Sequence, residues 1–170
     1  MSKKTIFVVI AILIVIVGIF AYLNSGYIKD KKEMHINAEI IVKEGDKEIL
    51  LTFNEIRELG EEEFKANLKS SGNPAEEHSY TGVPLKNVIK KANTDVEDKA
   101  QVIVRAVDGF TSAYNMSEVL EDNNMYLAYM MDDELLKGQE DGGDGPYQII
   151  VRKDQFSQRW AKYVLEIELQ

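Results

Sequence analysis

The chain has 170 residues, with 29 Asp and Glu against 20 Lys and Arg, for a formal charge of −9. That balance repels phosphate backbones and argues against nucleic acid as a partner. No cysteine is present, which excludes disulfides, thiolate metal ligands and a lipidated anchor.

Lys3 and Lys4 precede Ile6–Leu23, an apolar run without a charged residue. Coiled as a helix it reaches about 27 Å, close to the roughly 30 Å hydrocarbon core of a bilayer. The run is longer than the roughly 7–15 apolar residues of a cleaved signal, and no A-x-A site comes after it. An uncleaved signal anchor is therefore expected, with a cleaved signal peptide as the alternative. Hydrophobicity on every side, at the extreme N-terminus, argues against a buried core helix. The expected organisation is a cytoplasmic tail (1–5), a single membrane span (6–23), a charged linker (24–33) and one extracytoplasmic domain (34–170). Lysines flank both ends of the span, so charge does not set its orientation; the very short preceding tail favours export of the domain behind it. Beyond Leu23, 18 Lys and Arg stand against all 29 acids, a balance of −11 that keeps a tethered domain soluble.

Ile36, Ala38, Ile40 and Val42 alternate with polar residues, as a half-buried strand does. Glu44-Gly45-Asp46 turns the chain, and Ile49, Leu51 and Phe53 alternate again, predicting a hairpin. His35 falls at the start of its first strand, in a structural position. Thr52 with Glu55 caps a short helix through Leu59. Phe64, Ala66 and Leu68 predict another strand, ending in the loop Ser70-Ser71-Gly72-Asn73-Pro74. Leu85, Val88, Ile89 and Ala92 fall at helical spacing behind Pro84. Strands are expected over Gln101–Val107, Met125–Met131, Tyr147–Val151 and from Tyr163 to Leu169, with Ser117 capping a brief helix to Glu121. The result is α+β, a mixed sheet with short helices; the regular βα alternation of a doubly wound fold is missing.

Several short motifs occur in a fixed order: Tyr80-Thr81-Gly82-Val83-Pro84-Leu85, Asp108-Gly109-Phe110, Ala128-Tyr129 with Leu135, Gly145-Pro146, and Trp160-Ala161-Lys162. In this order they resemble the sulfite-oxidase-type molybdopterin oxidoreductase domain, over roughly Phe53 to Leu169. The resemblance implies that these loops line one face, where a pterin cofactor sits. It also implies a cysteine ligand to molybdenum in the loop before Gly82, where this chain offers Ser70, Ser71 and Asn73. Serine is a hard, high-pKa substitute for a soft sulfur donor. The family's Trp stands as Tyr80 here, and its phosphate-holding Arg after Gly-Pro stands as Gln148. Loss of molybdenum chemistry is the expectation.

On that resemblance His78, Tyr80, Asp108, Phe110, Trp160 and Lys162 are the residues expected to line a ligand face, with no catalytic and no metal-binding residue assigned. Three of them have a plainer alternative: His78 as a surface histidine, Trp160 as a packed tryptophan, and Lys162 in a salt bridge to Glu166 or another of the many acids. Arg105 reads as the exposed member of an alternating strand, and Arg152, Arg159 and Lys162 cluster near the last strand. The acidic groups Asp132-Asp133-Glu134 and Asp141–Gly145 suit calcium by chemistry, but their spacing matches no EF-hand. No Gly-x-Ser-x-Gly, Walker or His-Glu-x-x-His pattern is present. The sequence thus predicts a non-catalytic, membrane-anchored domain that binds a small planar or anionic ligand, a pterin being the first candidate. The alternatives are a docking module for a membrane redox complex or transporter, and an oxidoreductase whose molybdenum is held by the pterin dithiolene alone.

Overall fold

The computed structural model describes residues 3–69, 72, 74–92, 96 and 98–170. It forms two units, residues 1–33 and 34–170. Helix α1 runs Lys3–Ile36. Its Lys3–Leu23 portion is the one described helix long and apolar enough to cross a membrane, and its side chains face outward all round. The residues expected as a linker continue this helix. Lys29, Lys31, Lys32, Glu33 and Met34 are good helix formers, and no proline interrupts them. His35 therefore closes α1 rather than opening a strand. It is buried, with its ring edge-on to Phe53 at 5.5 Å.

The second unit holds two five-stranded sheets. The first has β1 (Glu39–Glu44), β2 (Lys47–Thr52), β5 (Gln101–Ala106), β6 (Thr111–Asn115) and β10 (Val164–Leu169), in the order β2-β1-β10-β5-β6. The second has β3 (Glu62–Leu68), β4 (Glu76–Pro84), β7 (Met125–Met131) and β8 (Glu134–Leu135), and β9 (Gln148–Val151) pairs with β7 beside β8. Among the described pairings only β1 with β10 is parallel, so the first sheet is mixed, as the irregular order of elements predicts. Three short helices come directly after strands: α2 (Phe53–Arg57), α3 (Leu85–Lys91) and α4 (Met116–Leu120).

Alternation sets which faces are buried. On β5, Val102, Val104 and Ala106 point inward while Ile103 and Arg105 lie outside. On β10 a register slip between Val164 and Glu166 turns Leu165 to solvent before Ile167 and Leu169 return to the core. All of β9 and the first five residues of β7 are buried on both faces, which explains the apolar run of β7 and of residues 149–151, Gln148 being the polar exception. Backbone bonds from Ile149 N–H to Ala161 O (2.8 Å) and from Val164 N–H to Tyr147 O (3.0 Å) tie β9 to the segment leading into β10.

The helix ends obey capping chemistry. Thr52 and Glu55 form a reciprocal box, with Thr52 N–H donating to Glu55 Oε2 at 2.9 Å. The helix they open stops at Arg57, two residues short of the expectation. Helix α4 is capped by Asn115 and not by Ser117: the Asn115 N–H donates to Glu118 Oε2 at 3.1 Å. Asn115 and Glu118 have the three-residue spacing of a capping box, and Ser117 lies inside the first turn.

Candidate ligand cleft

Two backbone segments build the cleft. The first is the turn between β5 and β6, where Asp108 Oδ1 accepts the Phe110 N–H at 2.9 Å and Gly109 takes a left-handed φ of +87°. The second runs from Ser157 to Tyr163 into β10. Val107 N–H donates to Tyr163 O at 3.0 Å, which fixes the turn against this segment. Between them lies a cleft of about 230 Å³ lined by Asp108, Phe110, Ser157, Gln158, Trp160 and Lys162.

Four of the six sequence-predicted residues thus meet around one cleft. Tyr80 and His78 do not line it. Tyr80 is 1% exposed, stacked on Phe64 at 5.9 Å and edge-on to Trp160 at 6.0 Å. Burial raises its phenol pKa, and Asp144 and Asp132 add to the rise. His78 lies beyond Tyr80, and its Nδ1 is 2.7 Å from Asp132 Oδ2. That contact, with the Ser79 N–H at 3.1 Å, holds the Asp132 carboxyl below the usual carboxylate range.

Trp160 is itself 5% exposed and donates its indole N–H to Val151 O at 3.2 Å, so it gives the cleft a rigid wall. Phe110, 42% exposed, is the accessible aromatic surface. Ser157 and Gln158 line the cleft as well, and nothing in their residue types announces it; only their place just before Trp160 does. Ser157 donates from both N–H (3.2 Å) and Oγ (2.9 Å) to Lys69 O, so the end of β3 is fixed to the cleft wall. Ser70, Ser71 and Asn73, which stand where the resemblance places a metal ligand, lie outside the described residues.

The basic residues do not gather into an anion site. Lys162 pairs with Asp144 at 2.7 Å, not with Glu166, which takes Lys43 and Arg105 on the outer face of the first sheet. Arg105 therefore points away from the cleft, held between Glu166 and Glu168. Arg159 is locked to Asp154 and Glu118, and those two carboxylates raise its pKa in that order. Arg152 donates to Lys65 O and Asn123 O and covers the Phe64 ring. Among the described residues Lys162 is left as the one basic side chain lining the cleft.

The donor set does not fit a thiolate-held molybdenum. The sequence supplies no sulfur nucleophile, and among the described residues no three His, Asp or Glu are grouped to hold a metal ion. Gln148, where the resemblance expects a phosphate-binding Arg, is 1% exposed on β9, and its Oε1 is among the buried atoms that make no hydrogen bond.

Residues 32–170 match the family model described as the oxidoreductase molybdopterin binding domain. The chain belongs to that family. A search of curated proteins found no match. Among solved structures, the sulfane dehydrogenase SoxCD from Paracoccus pantotrophus superposes with a TM-score of 0.66 at 15% identity. The match covers 79% of this chain and 38% of that one, so the chain spans well under half of its structural neighbour. At that identity the likeness establishes the shared fold.

Proposed function

We propose that this protein is a membrane-anchored, extracytoplasmic member of the molybdopterin-binding family that binds a planar ligand of the pterin class without catalysing oxo transfer. One observation carries the reading: Asp108, Phe110, Trp160 and Lys162, all from the family motifs, surround a single cleft in a chain without cysteine. Phe110 offers a face for ring stacking, Asp108 an acceptor for ring N–H groups, and Lys162 a cation for one acidic substituent. Capturing that substituent means drawing Lys162 away from Asp144. Exposed ion pairs of this kind are worth about 0–1 kcal/mol, so the exchange is cheap. Anchoring would come from the apolar part of α1, which has the length and composition of a membrane span.

Trp160 is the one tryptophan of the chain and a wall of the cleft, so its fluorescence reports occupancy directly. Titrating the full-length protein in neutral detergent with pterin-6-carboxylate should quench this emission saturably, and Phe110→Ala should weaken the binding about tenfold. Absence of saturable quenching, or equal binding by the variant, would refute the reading. Exposed Phe110 and Phe156, at 42% and 40%, favour a second reading as a docking module for a membrane partner. That reading predicts no pterin binding and a partner cross-linked through position 110 or 156.

A further inference from the structure

Asp144, the partner of Lys162, lines a second and larger cavity of about 430 Å³. Its other principal walls are Met131, Asp132, Glu134, Leu135 and Leu136, and it shares no residue with the cleft at Trp160. Its volume lies within the roughly 300–1,000 Å³ of small-molecule sites. Its chemistry is the reverse of a phosphate pocket. Met131, Leu135 and Leu136 supply apolar surface, and three carboxylates and the amine of Lys137 line the rest, with Lys162 and His78 pairing with Asp144 and Asp132.

Two of these carboxylates are held in place from outside the cavity. Asp132 sits at the turn between β7 and β8 with φ +50°, and it is fixed by His78 Nδ1 at 2.7 Å and the Ser79 N–H at 3.1 Å. Asp144 is fixed by Lys162 and by the Tyr163 N–H, which donates to its carbonyl at 3.2 Å. Both lie close enough to the Tyr80 phenol to raise its pKa, so they converge on the same region from different segments. Lys137, Gly142 and Gly143 complete the wall. A Cβ on Gly143 would come within 2.3 Å of Lys137 O, and Tyr163 Oη donates to Gly143 O at 2.7 Å. Nothing in the cleft at Trp160 explains an apolar cavity with a fixed acidic rim.

We infer that this cavity binds a small organic cation, an amine on an apolar carbon skeleton, with the skeleton against Met131, Leu135 and Leu136 and the ammonium group between Asp132, Glu134 and Asp144. The acidic surface beyond Leu23, at −11, raises the local concentration of such a cation and lowers that of anions. Because Asp144 serves this cavity while its partner Lys162 serves the neighbouring cleft, the two sites are coupled. Removing the Asp144 charge weakens cation binding and frees Lys162 for an anion.

The test uses full-length protein in phosphatidylcholine nanodiscs with ¹³C-methyl methionine. The Met131 resonance, assigned with Met131→Leu, is tracked by NMR. Phenethylamine should shift it saturably and bind at least tenfold more tightly than the uncharged isostere 2-phenylethanol. Asp144→Asn and Glu134→Gln should each weaken the amine at least fivefold, and Asp144→Asn should also tighten pterin-6-carboxylate at the Trp160 cleft. Equal affinity for amine and alcohol, no saturable Met131 shift, or unchanged amine binding in both variants overturns the inference. Amine binding without any pterin response leaves this site standing and removes only the reading of the Trp160 cleft.

Discussion

Gly82, at the centre of the motif Tyr80–Leu85, allows a direct test of what that motif does. It sits on β4 opposite Ala128 of β7, where the pairing register shifts between Thr81 and Gly82. A Cβ built on Gly82 would lie 2.5 Å from Leu127 O and 2.7 Å from Ala128 Cα. Ordinary contacts start near 3.4 Å, so strands β4 and β7 would have to part by nearly 1 Å. Both obstacles are backbone atoms of a buried strand and cannot swing aside. Overpacking of this kind costs about 1–3 kcal/mol, and an obstacle that cannot yield places Gly82→Ala near the top, at about 3 kcal/mol. With an unfolding entropy of about 2.1 cal/mol/K per residue over 34–170, Tm should fall by about 10 °C. Gly109→Ala is the control. Gly109 has φ +87° and nothing within 4 Å, so only the left-handed backbone resists and the loss is about 1 kcal/mol. Thermal unfolding monitored by circular dichroism separates the two. If Gly82→Ala costs no more than Gly109→Ala, the close β4–β7 approach is not what requires the glycine.

Removing the first cap of α2 with Thr52→Ala should cost about 1 kcal/mol in urea unfolding, and Thr52→Ser should restore most of it, because the hydroxyl is what completes the box with Glu55. The pH dependence should run through Glu118. The Arg159 contact sets its folded pKa below the unfolded value near 4.5, so its stabilisation is fully present above that value and is lost as pH falls through the folded pKa. The stability gap between wild type and Glu118→Gln should therefore shrink on going from pH 6 to pH 3; a constant gap contradicts the assignment. Tyr80→Ala should cost about 3–5 kcal/mol, since it empties a fully buried aromatic site between Phe64 and Trp160. Phe110→Ala should change unfolding by less than about 1 kcal/mol, because its ring is already 42% exposed.

Much of the fold was legible because its signals are local. Period-two alternation marks β5 and β10, apolar runs mark β7 and residues 149–151 of β9, and the Thr52–Glu55 spacing marks the start of α2. The boundaries that differ from expectation are those where two local signals compete. Ser117 and Asn115 are both acceptable caps, and the Glu118 side chain decides between them. Residues 29–36 carry strand-like alternation at one end and strong helix formers at the other, and the helix extends through His35. The site was legible only where sequence neighbours stay neighbours in space. Asp108 with Phe110 and Trp160 with Lys162 come as near-adjacent pairs, and one hydrogen bond from Val107 to Tyr163 joins them. An acidic partner for Lys162 was legible, but which acid it takes was not. Lys162 meets Asp144 through a loop 18 residues earlier, whereas the local spacing of Glu166 suggests a nearer partner.

The family motifs divide into two physical kinds, and this division separates fold from chemistry. Tyr80, Val83, Leu85, Ala128, Tyr129 and Trp160 are buried, and Gly82 lets two strands approach, so these residues need no cofactor to account for them. Among the motif side chains, only those of Asp108, Phe110 and Lys162 are exposed. A chain can therefore keep nearly the whole motif pattern for packing reasons while exchanging the few groups that touch a ligand. In this chain those exchanges all point one way. Sulfur is missing from the entire sequence as thiol, the expected arginine position holds an inward glutamine, and the cleft lysine is neutralised by Asp144. Each difference disfavours an anionic, metal-bearing cofactor on electrostatic grounds, and the proposed cation site in the neighbouring cavity follows the same charge balance. The buried motif residues account for the fold without a ligand, and the proposed change of ligand rests on the few exposed ones.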